Sequence, residues 1–214
     1  MVILASASPR RQELLRNARV PFVVQPADIE ERVREGESPR DCAERLAREK
    51  AVAVSQSRPA DCILGADTIV VIDGNILGKP HDAADAARML RMLSGRVHEV
   101  ITGVCLAGVR EQRPGASKSK TQATPVLGRV DEQLATGNRP LTTASETTLV
   151  TMIELSDDDI REYVTTGEPM DKAGAYAIQG IASRWIPRIE GDYSNVVGLP
   201  VALVYRLLRE QGAL

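Results

Sequence analysis

Short runs rich in Val, Ile and Leu alternate along this chain with segments of helical periodicity, and that alternation limits the fold to a mixed or parallel sheet covered by helices. Residues 2–5 read as a buried strand. Ser8-Pro9 then opens a helix to about Ala18, with Ser8 as its cap and Pro9 at the first helical position, where a missing N–H costs nothing. Phe22 to Val24 is a second short strand. Ser38-Pro39 repeats the helix start, and Cys42, Leu46, Ala47, Val52 and Val54 fit the inner face of a helix to about Ser57. Cys62 to Ile72 is a long strand, Asp73-Gly74 a hairpin turn and Ile76-Leu77 the return. Asp82 caps a helix closed at Gly95, and Val97 to Val109 and Thr147 to Leu155 read as strands. Further helices run from Ser156 to Gly167 and from Pro200 to about Glu210. The stretch 110–146 is rich in Gly, Pro, Ser, Thr and Gln. It is expected to be a flexible insertion within one domain spanning 1–214, with a lid or an oligomer arm as the other reading.

At 43% hydrophobic and 26% charged over 214 residues, the chain can bury a globular core, built from Val, Ile, Leu and Ala because only 3% is aromatic. A net charge of −2 supplies no surplus of cations for coating nucleic acid, and so few aromatic rings make a poor surface for stacking bases. No apolar run approaches the roughly 20 residues of a membrane helix, and the first residues lack the pattern of a signal peptide. Cys42, Cys62 and Cys105 have neither an even count nor CxxC spacing. The expectation is a cytoplasmic protein that binds neither nucleic acid nor membrane.

Three segments carry chemistry. Ser6-Ala7-Ser8-Pro9-Arg10-Arg11 leaves a strand and enters a helix, and a helix start with free N–H groups attracts anions. Two arginines in the first turn oppose the helix dipole by roughly 0.3–1 kcal/mol each unless an anion is bound, or unless they are simply solvated. In Gly65-Ala66-Asp67-Thr68, a carboxylate interrupts an apolar strand and requires a cationic partner, a metal or a raised pKa; a turn acid at a strand end is the alternative. Lys79, in Gly78-Lys79-Pro80, is either a turn residue or a cation returning toward that strand. Residues 170–180 offer Asp171, Lys172, Tyr176 and Gln179 among small residues, and an amide such as Gln179 can both donate to and accept from a nucleobase edge. Glu30, Glu31 and Lys50 are weaker, with Lys50 expected on a solvated helix face. His81 and His98 cannot make a three-histidine metal site, and no GxSxG is present.

Taken together, Leu4-Ala5-Ser6-Ala7-Ser8-Pro9-Arg10-Arg11-Gln12-Glu13-Leu14-Leu15, Leu46-Ala47-Arg48-Glu49-Lys50-Ala51, Gly65-Ala66-Asp67-Thr68, Gly78-Lys79-Pro80, Ser94-Gly95-Arg96-Val97-His98 and Asp171-Lys172-Ala173-Gly174-Ala175-Tyr176 closely resemble the Maf family of nucleoside triphosphate pyrophosphatases. The resemblance implies an α/β fold, with a two-lobed mixed sheet flanked by helices around a central nucleotide cleft. It also implies a divalent metal cation (Mg or Mn), a homodimer, a link to septum formation, and cleavage of a nucleoside triphosphate to monophosphate and pyrophosphate. By the same resemblance, Arg10, Arg11, Lys50 and Lys79 serve phosphate, Glu31 and Asp67 serve metal and water, and Thr68 and Gln179 serve substrate choice. The chemistry agrees. Four cations can neutralise a triphosphate, and without a suitable histidine Asp67 becomes the expected base. Tyr176-Ala177-Ile178-Gln179-Gly180, with Arg10 and Thr68, resembles the family branch acting on dTTP and UTP, with 7-methyl-GTP hydrolysis or nucleotide sensing without turnover as alternatives.

Overall fold

A computed structural model describes residues 1–108 and 140–214. A seven-stranded mixed sheet organises them, in the order β2-β1-β3-β5-β6-β7 with β4 on the flank of β3. The strands are β1 (Val2–Leu4), β2 (Phe22–Val24), β3 (Cys62–Ile72), β4 (Asn75–Leu77), β5 (Val97–Ala107), β6 (Leu141–Thr151) and β7 (Arg188–Glu190). The helices are α1 (Pro9–Asn17), α2 (Pro39–Ser55), α3 (Ala83–Leu93), α4 (Asp157–Thr165), α5 (Tyr193–Val197) and α6 (Val201–Glu210), with short 3-10 turns between Glu168 and Trp185.

The three central strands, β3, β5 and β6, are each 11 residues long and run antiparallel to one another in that order, so they pass through both halves of the molecule. Side chains alternate between faces along a strand. Even-numbered positions of β3 and β5 serve two hydrophobic cores on one face. Leu64, Ala66, Val104 and Leu106 pack with α1 and α6, whereas Val70, Ile72 and Val100 pack with α3 and α4. Thr68 and Thr102, paired across β3 and β5, lie between the two cores. Odd-numbered positions face α2, which comes so close that a Cβ at Gly65 or Gly103 would overlap the carbonyl oxygen of Ala47 or Ala43. Burying one Val, Leu or Ile contributes roughly 1.5–3 kcal/mol, so this aliphatic core needs few aromatic rings.

One flank of β3 carries two different partners. β1 runs parallel to it at Cys62–Leu64, and β4 runs antiparallel to it at Val70–Ile72. Neither covers the stretch 65–69. Both strands end at this gap, so the chain leaves β1 into Ser6–Arg11 from one side and leaves β4 into Gly78–Lys79 from the other. Open α/β sheets place ligands at such points, where strand carboxyl ends diverge.

Most expected elements are present within two residues. The strand expected over 147–155 is instead Leu141–Thr151, so 141–146 belong to β6 and not to an insertion. Its polar start disguised it. Thr142, Ser145 and Thr147 are engaged by Gln211, by Glu44 and Arg40, and by Arg40, respectively, while Cys105 and Leu106 of β5 hold the backbone in register. The rest of that expected insertion, 110–139, lies outside the described residues. No helix among the described residues is long and apolar enough to cross a membrane.

Candidate active site

A cleft of ≈ 900 Å³ opens at the gap in the sheet, and every residue to which the family resemblance gives a role lines it: Arg10, Arg11, Glu31, Lys50, Asp67, Thr68, Lys79 and Gln179. Consecutive β3 residues face opposite sides of the sheet, so Asp67 and Thr68 organise two separate groups of partners.

On the α2 side, Lys50 Nζ lies 2.5 Å from Asp67 Oδ1 and 2.6 Å from Glu31 Oε1. The Lys50 and Asp67 side chains are each only 9% exposed. Lys50 was expected on a solvated face; it stands instead on the buried stripe of α2 with Ala43, Leu46 and Ala47. Its spacing of three and four residues from Ala47 and Leu46 is the signal that places it there. Glu31 sits in a segment without regular structure, with Lys79 Nζ 3.9 Å from its other oxygen. Desolvation tends to raise its carboxyl pKa, but the hydrogen bond and charge of Lys50, with Lys79 and Arg11 beyond, hold it below the ordinary carboxylate value. Adjacent Glu30 turns outward to Arg32 at 2.6 Å.

The Glu31 segment is clamped by a residue the sequence reading missed. Arg45 reaches both oxygens of Glu37 at 2.6 and 2.7 Å, Glu49 at 3.2 Å and the Arg32 carbonyl at 2.8 Å. The hydrogen bond from Arg45 outweighs desolvation and lowers the Glu37 carboxyl to about 2.

On the opposite side, Arg11 is buried rather than solvated. Its Nε donates to the Gly198 carbonyl at 2.7 Å, and its two amino groups donate to Ser6 Oγ at 3.0 Å and Thr68 Oγ1 at 3.1 Å. Thr68 Oγ1 lies 2.9 Å from Thr102 Oγ1, which donates to the Asn195 carbonyl at 3.1 Å. Burial lowers the Arg11 pKa, opposed by the charges of Asp67 and Glu31. Thr102, Asn195 and Gly198 were not anticipated, although Thr102 is a polar interruption of an apolar strand much as Asp67 is. Arg10, more open, lies 3.4 Å from Asp171, which Lys172 also contacts at 2.5 Å. Gln179 is exposed at the cleft wall and makes no hydrogen bond among the described residues.

The donor set for a metal is small. Among the described residues no group of three or more His, Cys, Asp or Glu side chains could hold an ion. Glu31 and Asp67 do converge on one cationic group, Lys50. Two carboxylates fit a hard cation that takes its remaining ligands from phosphate and water, the usual arrangement for Mg²⁺, rather than an all-protein cage.

Comparison with known proteins shows which family the chain belongs to. A "dTTP/UTP pyrophosphatase" of Koribacter versatilis (strain Ellin345) is 53% identical over 213 residues, covering 100% of this chain and 95% of the relative. Proteins of the same name from Symbiobacterium thermophilum (strain DSM 24528 / JCM 14929 / IAM 14863 / T) and Geobacter sp. (strain M21) are each 47% identical, covering 99% and 100% of this chain and 94% and 96% of their own lengths. The family model described as "Maf-like protein" matches residues 1–211, a span that includes both walls of the cleft, and the chain therefore belongs to the Maf family.

Proposed function

We propose that this protein hydrolyses dTTP and UTP to the nucleoside monophosphate and pyrophosphate. The observation that carries the reading is the convergence of Arg10, Arg11, Lys50 and Lys79 on the gap beside Asp67, in a chain similar over its full length to proteins named for that activity. A triphosphate brings about four negative charges, which these cations and the start of α1 can match as charge builds on the leaving pyrophosphate.

Asp67 has one oxygen held by Lys50, while the other accepts no hydrogen bond among the described residues. That second oxygen takes a proton from the attacking water. The water oxygen then bonds to the α-phosphorus, and the bond from that phosphorus to the bridging oxygen breaks, releasing pyrophosphate. Glu31 and Asp67 would hold a divalent cation, which when bound supplies charge neutralisation on the phosphate oxygens and a more acidic water. Arg11, fixed by Gly198, Ser6 and Thr68, needs little reorganisation to serve phosphate. Thr68 shapes the adjoining wall. Gln179, a neutral amide, can accept from the N3–H and donate to a carbonyl of uracil or thymine.

The test is pyrophosphate release from dTTP, UTP, the remaining common triphosphates and 7-methyl-GTP, with Mg²⁺ and with Mn²⁺. Release from dTTP and UTP ahead of the others is expected. Preference for 7-methyl-GTP would reassign the substrate, and tight nucleotide binding without pyrophosphate release would make the protein a sensor.

A further inference from the structure

We propose that Lys50 is a built-in stand-in for the divalent cation, holding Glu31 and Asp67 together in the nucleotide-free protein so that the metal is taken up only with nucleotide. The inference rests on the pyrophosphatase reading above for the identity of the ligand, but on the cluster itself for the order of events. One ammonium bridges the two carboxylates at 2.5 and 2.6 Å. Lys79 stands 3.9 Å from Glu31, and Arg11 is close enough to act on both acids. Lys50 and Lys79 contact the two carboxylates and Arg10 and Arg11 line the same cleft, so positive charge is in excess at the place where a free divalent ion would have to enter. Like-charge repulsion in a partly desolvated cleft opposes that entry.

A triphosphate inverts the balance. Its charge supplies partners for Lys50, Lys79 and Arg11, and its oxygens supply the ligands that two carboxylates cannot provide alone. Lys50 then exchanges carboxylate for phosphate, which reconciles its place between Glu31 and Asp67 with the phosphate-binding role expected from the sequence. Burial makes this exchange necessary, because neither the Lys50 ammonium nor the Asp67 carboxylate can be left unpaired at such low exposure.

The experiment follows Mn²⁺ uptake by electron paramagnetic resonance, without reference to turnover. Wild-type protein should take up little Mn²⁺ by itself and bind it at least tenfold more tightly with the non-hydrolysable α,β-methylene analogue of dUTP. Equal Mn²⁺ affinity with and without the analogue would overturn the proposal. Lys50→Met, which removes the resident charge and keeps the side-chain bulk, should gain at least tenfold in affinity for Mn²⁺ alone and lose that gain when combined with Glu31→Gln. No gain in folded Lys50→Met, or a gain that survives Glu31→Gln, would sink the idea. The wild-type comparison needs no variant to fold. Pyrophosphate release from dTTP and UTP is measured separately, so failure of the proposed activity is distinguishable from failure of the uptake order.

Discussion

His98 Nε2 lies 2.8 Å from the Tyr176 hydroxyl, with the two rings edge to face at 84°, and this buried contact ties β5 to the loop that carries Gln179. The same loop passes through positive φ at Gly174 and Ala175, 68° and 60°, and Gly174 N–H donates to the Gly78 carbonyl at 3.1 Å. Both the Lys79 turn and the Gln179 loop thus depend on one anchor.

Tyr176→Phe keeps the ring and removes the hydroxyl, leaving buried His98 without its partner. Stability should fall by about 1–3 kcal/mol, the cost of an unsatisfied buried polar group. The KM for dTTP should rise more than kcat falls. Urea denaturation and steady-state kinetics check the two effects, and an unchanged KM would make the contact purely structural.

Burial lowers the His98 pKa from 6.5 to about 4. The unfolded chain therefore takes up a proton near pH 6.5 that the folded protein refuses until about pH 4, so stability is lost as pH falls through this window. From pH 7 to pH 5 the loss due to His98 should be about 2 kcal/mol. His98→Gln should flatten that part of a stability–pH curve measured by urea denaturation.

Asp67→Asn preserves shape but removes the proposed base. Turnover should fall by about 10²–10⁴-fold, the usual contribution of a positioned general base. Thermal unfolding should show a folded protein weakened by about 1–3 kcal/mol, because buried Lys50 loses a charged hydrogen-bond partner. Near-normal turnover would remove Asp67 from the chemistry.

Arg45→Met cuts the clamp on the Glu31 segment. With the Arg45 and Glu37 side chains only 12% and 10% exposed, loss of one partner should cost about 3 kcal/mol. The Mn²⁺ concentration needed for half-maximal turnover should rise as Glu31 loosens. A stability loss with unchanged metal dependence would separate the clamp from Glu31.

Arg10 and Arg11 should behave differently despite being neighbours. Arg10→Ala removes a half-exposed pair with Asp171 and should change stability by no more than about 1 kcal/mol. Arg11→Ala strips the buried links to Ser6, Thr68 and Gly198 and should cost about 2–4 kcal/mol. Both variants should show smaller thermal stabilisation by nucleotide than the wild type. Equal stabilisation in Arg10→Ala would end its phosphate role.

Much of this was readable along the chain. Residues 2–4 and 22–24 announce strands through unbroken apolar runs and 62–72 through a longer one that Asp67 and Thr68 interrupt, while Ser8-Pro9, Ser38-Pro39 and Asp82 announce helix starts through their caps. These are local signals, because backbone hydrogen bonding and side-chain periodicity act over a few residues. The start of β6 escaped because Thr and Ser pack in a strand as readily as in a loop when long-range partners such as Arg40, Glu44 and Gln211 satisfy them.

By itself the sequence determined the residue types at the cleft, the caps that start its helices and the alternation that sends Asp67 and Thr68 to opposite faces of β3. Only the tertiary structure decided which charges meet: Lys50 between Glu31 and Asp67, Arg45 on Glu37, and Arg11 on Ser6, Thr68 and Gly198. Several of these partners lie far apart in the chain, Arg11 and Gly198 by 187 positions. Ion pairs and hydrogen bonds of this kind exist only after the sheet has buried its apolar faces and brought distant segments to one gap, where desolvation makes each unpaired charge costly and so selects its partner.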